Sequence, residues 1–462
     1  MKISLGRLVL SALTVVLFFG AFGIHAQDLD DVTITGRITD SNKLAVAGAT
    51  VSATEIQSGV ERTVTTDDDG RYRLIELKPG LYKVTATASG FGSQTKTDLQ
   101  TLSGQNVQLD FTLSPAGIKA ETTVEAGGDD VPAVDTTRTV VGGTVTQREV
   151  EELPNASRNP LDLVLTLGGV TEEPLSTRDL ASDRGVRGLS TPGTTPEEAG
   201  TFGLSGGAAY SNNFTVDGMD NNDDRSAGVR FAPFIESVAE VQVVTNQFSA
   251  EYGRASGGRI NIRTKAGGNK FRGRAFYYFR SDKLNASTWN NNRRGLPIAP
   301  LEDHNPGFTF GGPIIKDKLF FFTGYEYDNN LEDTIVDAWV PVSNGNPNYA
   351  LPAPTDPSRA VTVTSIAGGQ TFTATVAPYI IPVDTPARRH TFLGRADWNL
   401  NSANNFTFSY QLGKSSDLRA FSGTNRIANS LIGRIRNTDA FNATHNYVGS
   451  SKFVNQFRFQ WS

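Results

Sequence analysis

The residues best suited to chemistry in this chain are few, and none falls into a catalytic pattern. The four histidines, His25, His304, His390 and His445, show no paired metal-ligand spacing. The acidic run Asp67-Asp68-Asp69-Gly70 lacks the alternate-position acids and distal Glu of a calcium loop, and reads as a hairpin turn. The Gly-rich stretch GGRINIRTKAGG lacks the Gly-Lys-Ser/Thr order of a phosphate loop. The carboxylates form no pair marked for acid–base work. No catalytic residue, metal ligand or cofactor is expected, and the chain is not read as an enzyme.

One stretch does suggest binding. KFRGRAFYYFR, residues 270–280, interleaves cations with rings, and Arg272, Gly273, Ala275, Phe276 and Phe279 fit an RNA-recognition strand whereas Arg274 does not. Nucleic-acid proteins gain much of their affinity by neutralising phosphates, so a basic excess is normal for them. This chain has a formal net charge of -5 and a pI near 5.6, so nucleic acid is not an expected partner. In a strand, successive side chains point to opposite faces. Phe271, Gly273, Ala275, Tyr277 and Phe279 then share one face, and Arg272, Arg274, Phe276, Tyr278 and Arg280 the other. One face can meet lipid while the other meets water.

The elements that must carry such strands follow from the rest of the chain. Lys2 and Arg7 precede an apolar run over residues 8–23, and the small residue Ala26 stands at the cleavage point before Gln27, so residues 1–26 read as a secretory signal peptide. There is no cysteine. An exported chain without disulfides relies on burial and sheet pairing. No later stretch reaches the roughly 18 continuous apolar residues of a spanning helix, so membrane insertion would require a barrel.

Residues 32–114 contain six short alternating segments, VTITGRIT, ATVSATEI, ERTVTT, RYRLIEL, LYKVTATA and NVQLDFTL, and predict a small β-sandwich. Through GRITDSNKLAVAGATV and TTDDDGRYRLIELKPGLYKVTATASGF this stretch resembles the carboxypeptidase-regulatory-like domain. The resemblance implies no peptidase activity. It implies a fold related to sugar-binding modules, with either carbohydrate contact or a spacer role.

Residues 115–135 read as a linker of small and acidic residues, within which Glu121, Thr122, Thr123, Val124 and Glu125 form an extended patch. Such a patch can add to the edge of another protein's sheet. Residues 136–266 carry two short helical pieces around Pro154 and Pro160, then strands separated by a tight turn at Asp217-Gly218. FTVDGMD, IESVAEVQVVTNQFSAEYGRASGG and INIRTKAGG resemble the α+β plug of TonB-dependent outer-membrane receptors. EELPNASRNPLDLVLTLGGVT and FTFGGPIIKDKLFFFTGYE resemble the Oar-like members that carry a regulatory-like domain. The resemblance implies a mainly β outer-membrane protein of the Gram-negative envelope. It implies ligand uptake and a TonB-like energy-coupling partner in the inner membrane that grips residues 121–125, a loose counterpart of the family's coupling box. The sandwich and plug would lie on the periplasmic side. The ligand is not specified, with carbohydrate and peptide as the classes considered.

Residues 267–462 supply the barrel signal. FTFSYQL, RHTFLGRADWNL and FVNQFRFQW each alternate aromatic or apolar residues with polar ones, an apolar-out, polar-in pattern for strands in lipid. Arg272, Arg274, Arg280, Arg395, Asp397 and Arg458 become candidates for the wet interior. Long loops are expected over residues 282–305, 329–389 and 414–436, alternating with the short turns PIIKDK, NSANN and GSSK. About seven strands are expected, against the about 22 of a plugged barrel. The segment is therefore expected to be the first part of a longer barrel, with unpaired edges near Lys270 and Trp461. A non-transporting surface adhesin using the outer loops is the alternative function.

Overall fold

The computed structural model describes residues 30–462 apart from 117–121, 125–140, 156–157, 173–201, 208–210, 224–228, 247–251, 288, 297, 299, 344–351, 368–369, 420–431 and 451–452. The expected signal peptide and most of the linker, including Glu121 and Glu125, lie outside the described residues.

The N-terminal unit is a two-sheet sandwich. Its strands are β1 (Val32–Asp40), β2 (Thr50–Glu55), β3 (Glu61–Thr65), β4 (Arg71–Leu77), β5 (Leu81–Thr87), β6 (Gln94–Gln100), β7 (Asn106–Gln108) and β8 (Phe111–Leu113). One sheet runs β4-β1-β7 with β8 also on β1; the other runs β3-β2-β5-β6 and ends on β9 (Thr122–Val124). Alternate residues of both sheets, among them Ile34, Ile38, Val51, Ala53, Leu74, Val84 and Ala86, fill a closed core. The period of two that marks these strands in the sequence is the period with which they meet that core. NVQLDFTL forms two strands rather than one, with a break at Leu109-Asp110, and both pieces run parallel to β1. Gly36 permits the crossing, because a Cβ there would lie 1.9 Å from the Leu109 carbonyl oxygen. Asp67 takes the backbone N–H groups of Asp69 and Arg71 on Oδ1 at 3.0 and 2.7 Å, a side-chain-stabilised hairpin turn.

β6 was not expected. QTKTDLQ buries only Leu99 and so lacks the apolar alternation of its neighbours; it forms because β5 supplies a ladder from Leu81–Gln100 to Ala86–Gln94.

The middle unit contains β10 (Val141–Val145), α1 (Gln147–Glu152), a 3₁₀ turn at Pro160–Thr166, β11 (Val170–Glu172), β12 (Phe202–Leu204), β13 (Asn212–Val216), β14 (Met219–Asp220), β15 (Val238–Asn246) and β16 (Gly258–Thr264). Its mixed sheet has the order β10-β15-β16-β13-β14. Thr146 and Glu149 cap α1 reciprocally, the side-chain oxygen of each accepting the backbone N–H of the other. Asp217 and Gly218, with φ of 50° and 77°, turn β13 into β14.

The third unit is a large antiparallel sheet. It comprises β17 (Arg272–Ser281), β18 (Leu301–Ile315), β19 (Leu319–Pro341), β20 (Val361–Ala367), β21 (Gln370–Asp384), β22 (Ala387–Asn399), β23 (Asn404–Arg419), β24 (Ile432–Ser450) and β25 (Phe453–Trp461), with α2 (Trp289–Arg294) between the first two strands. The main path is β17-β18-β19-β22-β23-β24-β25, so seven strands follow one another, and among the described residues β17 and β25 are the two outer strands. The expected loop over 329–389 is corrected by the structure: β19 continues to Pro341 and pairs with β21, which pairs in turn with β20. The reason is local, since TVTSIA and TFTATV are rich in β-branched residues. Strands likewise extend into the expected loops at 282–305 and 414–436.

The sheet is inverted relative to a water-soluble protein. Leu393, Arg395, Asp397, Ser409, Gln411 and Asn442 are buried on the face turned toward the middle unit, whereas Phe308, Phe310, Phe408, Tyr410, Phe457, Phe459 and Trp461 are exposed on the other. No helix among the described residues is long and apolar enough to cross a membrane. The strands present the apolar band instead.

Candidate functional site

The middle unit rests on the polar face of the large sheet, and the contacts that hold it there are ionic. Gly324 opens the wall to the middle unit, since a Cβ on it would come 2.6 Å from the Phe234 ring. Around this apolar contact stand three charged junctions.

The first is centred on Arg158, held at φ 57° beside Asn159, whose side chain caps the 3₁₀ turn that follows. Its Nη2 donates to Glu236 of the middle unit at 2.8 Å and to Glu326 of β19 at 2.5 Å. The guanidinium lies 3.7 Å from the Tyr278 ring centre and 5.6 Å from that of Phe276, both on β17. Burial disfavours the charge, but the two carboxylates outweigh it and raise the arginine's pKa. The face of β17 that carries Phe276 and Tyr278 thus meets the middle unit, and Phe271, Tyr277 and Phe279 on the opposite face are exposed.

The second junction joins all three units. Arg395 of β22 forks onto Asp397 through Nε at 2.8 Å and Nη2 at 3.0 Å. Its Nη1 reaches Asp217 Oδ1 at 3.1 Å and Thr264 Oγ1 at 3.1 Å. Asp217 in turn accepts from the Thr264 backbone at 3.0 Å and its hydroxyl at 2.7 Å, which ties the β13–β14 turn to the end of β16. From the sandwich, Lys78 Nζ donates to Asp397 Oδ1 at 2.6 Å. Arg395 and Asp397 each keep only 4% side-chain exposure, so both charges are desolvated and depend on one another.

The third junction holds Asp30, the residue that leads into the sandwich. Arg259 Nη2 donates to its Oδ1 at 2.8 Å and Asn261 Nδ2 at 3.1 Å, while Tyr252 and Arg458 of β25 donate to Oδ2, the latter at 3.2 Å. Burial alone would raise this carboxyl's pKa; Arg259 and Arg458 more than offset it and hold it below the usual range. Gly218 leaves room for the arrangement, because a Cβ there would lie 2.7 Å from Asp30 Oδ2.

The sandwich completes the seal from the end of the short turns. Asn269 donates its backbone N–H to the Gln57 carbonyl at 2.9 Å, Arg62 donates to the Ser402 carbonyl, and Ser103 donates to Glu240. Burial raises the Glu240 carboxyl's pKa despite Arg263. Between sandwich and wall lies a cavity of about 70 Å³ lined by Glu55, Arg62, Glu76, Lys78 and Tyr82 on one side and Phe320, Asp397 and Asn446 on the other. Ligand pockets are several-fold larger, which argues against this cavity as a ligand site.

The sequence-selected residues fall into two groups. Arg395, Asp397, Arg458, Asp217 and Gly218 come together at the junctions. Arg272 and Arg274 are exposed on the outer strand, Arg274 touching Tyr278 Oη at 3.2 Å, and Arg280 pairs with Asp303 at 2.9 Å. Asp30, Lys78, Arg158, Glu236, Tyr252, Arg259 and Glu326 escaped the sequence reading; charged residues inside otherwise apolar phrases such as FIESV and GYEY are the signal that was there. Thr122, Thr123 and Val124 form β9, which runs parallel on Gln94, Thr95 and Lys96 of β6. Among the described residues, no group of three His, Asp or Glu side chains could hold a metal.

Two of the three units match known families. Residues 263–462 match the family described as outer membrane beta barrel domain, and residues 33–114 match the carboxypeptidase regulatory-like domain. Over 323 residues the chain is 29% identical to the TonB-dependent transporter Oar of Myxococcus xanthus, covering 69% of this chain and 28% of that relative. The chain therefore spans little more than a quarter of that relative's length. Among solved structures, similarity extends to the ferric enterobactin receptor of Pseudomonas aeruginosa (14% identity, TM-score 0.44, 69% of this chain and 40% of that one). The outer membrane transporter YddB of Escherichia coli is also similar (12%, 0.44, 66% and 37%).

Proposed function

We propose that this chain, an outer-membrane protein similar to the TonB-dependent transporters, belongs to a receptor that takes up a ligand through a plugged β-barrel, energised from the inner membrane. In this reading residues 136–266 are the plug, residues 267–462 the early barrel wall, and residues 32–114 a periplasmic domain. The transporter resemblance supports a binding and transport role.

The observation that carries the proposal is the ionic character of the seam between plug and wall. An apolar seam would reseal as a core does, and opening it would expose hydrophobic surface to the water of a channel. Charged junctions can instead be rehydrated as they open, which suits a plug that must move and return. Arg158, Arg395 and Arg458 each bridge plug and wall in this way. The pull would arrive through residues 121–125. β9 ends the sandwich's second sheet, and strand addition is the mode by which an extended segment of this kind recruits a partner.

Deleting residues 121–125 in the full-length protein is expected to abolish uptake while surface display stays normal. Unchanged uptake would reject these residues as the coupling segment. The ligand class is addressed by uptake assays with oligosaccharides and peptides as separate probes. A surface-adhesion reading draws on the β20–β21 hairpin, whose Val361, Val363, Ile366 and Phe372 are exposed beyond the main path of the wall. Removing residues 361–375 separates the two: loss of attachment with intact uptake supports adhesion as an added role.

A further inference from the structure

We infer that the plug and wall together build a carboxylate-binding site which the chain fills with its own Asp30, so that the segment leading into the sandwich acts as an internal latch across the plug–wall seam. Two elements of the plug and one of the wall supply the donors. Tyr252 and Arg259 flank the start of β16, Asn261 lies within it, and Arg458 reaches across from β25. Arg263 Nη1 fixes the same residue through its backbone carbonyl at 2.5 Å.

The site is built rather than incidental. Arg259 is fully buried and stacks 3.6 Å over the Tyr252 ring, which in turn donates to the carboxylate and accepts from Arg458 Nη1 at 2.8 Å. Among the described residues Arg259 Nε and Nη1 have no hydrogen-bond partner, so this guanidinium directs its hydrogen bonding to Asp30. A cation this deeply buried needs an anion to be tolerated. The anion comes from a different unit, so leaving it behind strands the arginine. A latch follows: when Asp30 is seated, Arg458 of the wall and Arg259 of the plug share one carboxylate, and when it leaves, plug and wall lose that common partner.

The role of this latch in uptake rests on the transport reading, but the binding chemistry does not, and the test measures binding chemistry alone. In full-length protein purified in detergent, Asp30→Ala removes the carboxylate and leaves its space open. The variant is expected to unfold at a lower midpoint than wild type. Sodium formate should recover at least half of that loss, whereas sodium chloride at equal ionic strength should not, and wild type should respond equally to both salts. Asp30→Asn fills the space with a neutral amide and should be destabilised without recovery. Formate acting no better than chloride on Asp30→Ala would overturn the inference. Should Asp30→Ala fail to assemble, Arg458→Gln keeps the carboxylate in place and breaks only the wall contact. Its midpoint is expected to fall with no preferential formate response, and an unchanged midpoint would overturn the latch.

Discussion

Replacing Arg395 with methionine is expected to destabilise the full-length protein by about 3–5 kcal/mol, the cost of leaving a buried carboxylate without its partner. Asp397 retains only 4% of its side-chain exposure and takes two of its hydrogen bonds from this guanidinium. Lys78 and Thr407 remain, at 2.6 and 2.9 Å, but both already bond Oδ1, so Oδ2 loses its donor. The same substitution removes the contact of Asp217 with the wall and leaves its carboxylate bonded to Thr264. Unfolding by denaturant in detergent measures the effect. The double variant Arg395→Met/Asp397→Leu removes both desolvated charges and should recover most of the loss, because a well-packed apolar pair can replace a buried ion pair at little cost. A single-variant loss below about 1 kcal/mol would place Arg395 in water and sink the assignment of this junction.

Arg158→Met is expected to be the next most damaging change, at about 3 kcal/mol, by the same physics at an arginine that likewise holds two acids. Glu236 and Glu326 both accept from Nη2 of this arginine, so its loss leaves two carboxylates facing each other with 4% and 12% side-chain exposure. Repulsion then acts directly between plug and wall, unlike at Asp397, where charge and countercharge share one strand. Arg158→Lys should fall between, because an ammonium keeps the charge but loses the flat stack on Tyr278. Adding Glu326→Gln to Arg158→Met should recover part of the loss. If Arg158→Lys and Arg158→Met are equally damaging, the stack on Tyr278 rather than the charge holds this junction together.

The large-scale order of the chain was legible because sheet physics is local in sequence. Alternation with period two identified the core-facing residues of β1, β2, β4 and β5 and the outward aromatics of β17, β22, β23 and β25. The Asp217-Gly218 pair announced its turn through the φ that glycine tolerates. β6 was missed because a polar strand held by its neighbour's ladder has no hydrophobic period to show. The β19–β21 extension was missed because polar strands beyond the apolar band resemble loops in composition.

Parity along a strand also placed Arg395, Asp397 and Arg458 on the polar face, but it could not say what lies opposite. Arg395 meets Asp217 across 178 positions, and Arg458 meets Asp30 across 428. Side-chain alternation reports the face on which a residue stands, since the pleat fixes that from its immediate neighbours. Which unit covers that face, and which countercharge it carries there, depends on how the three units dock. Only the tertiary structure decides that, because a desolvated charge accepts whichever donor or acceptor the docking brings within hydrogen-bond distance.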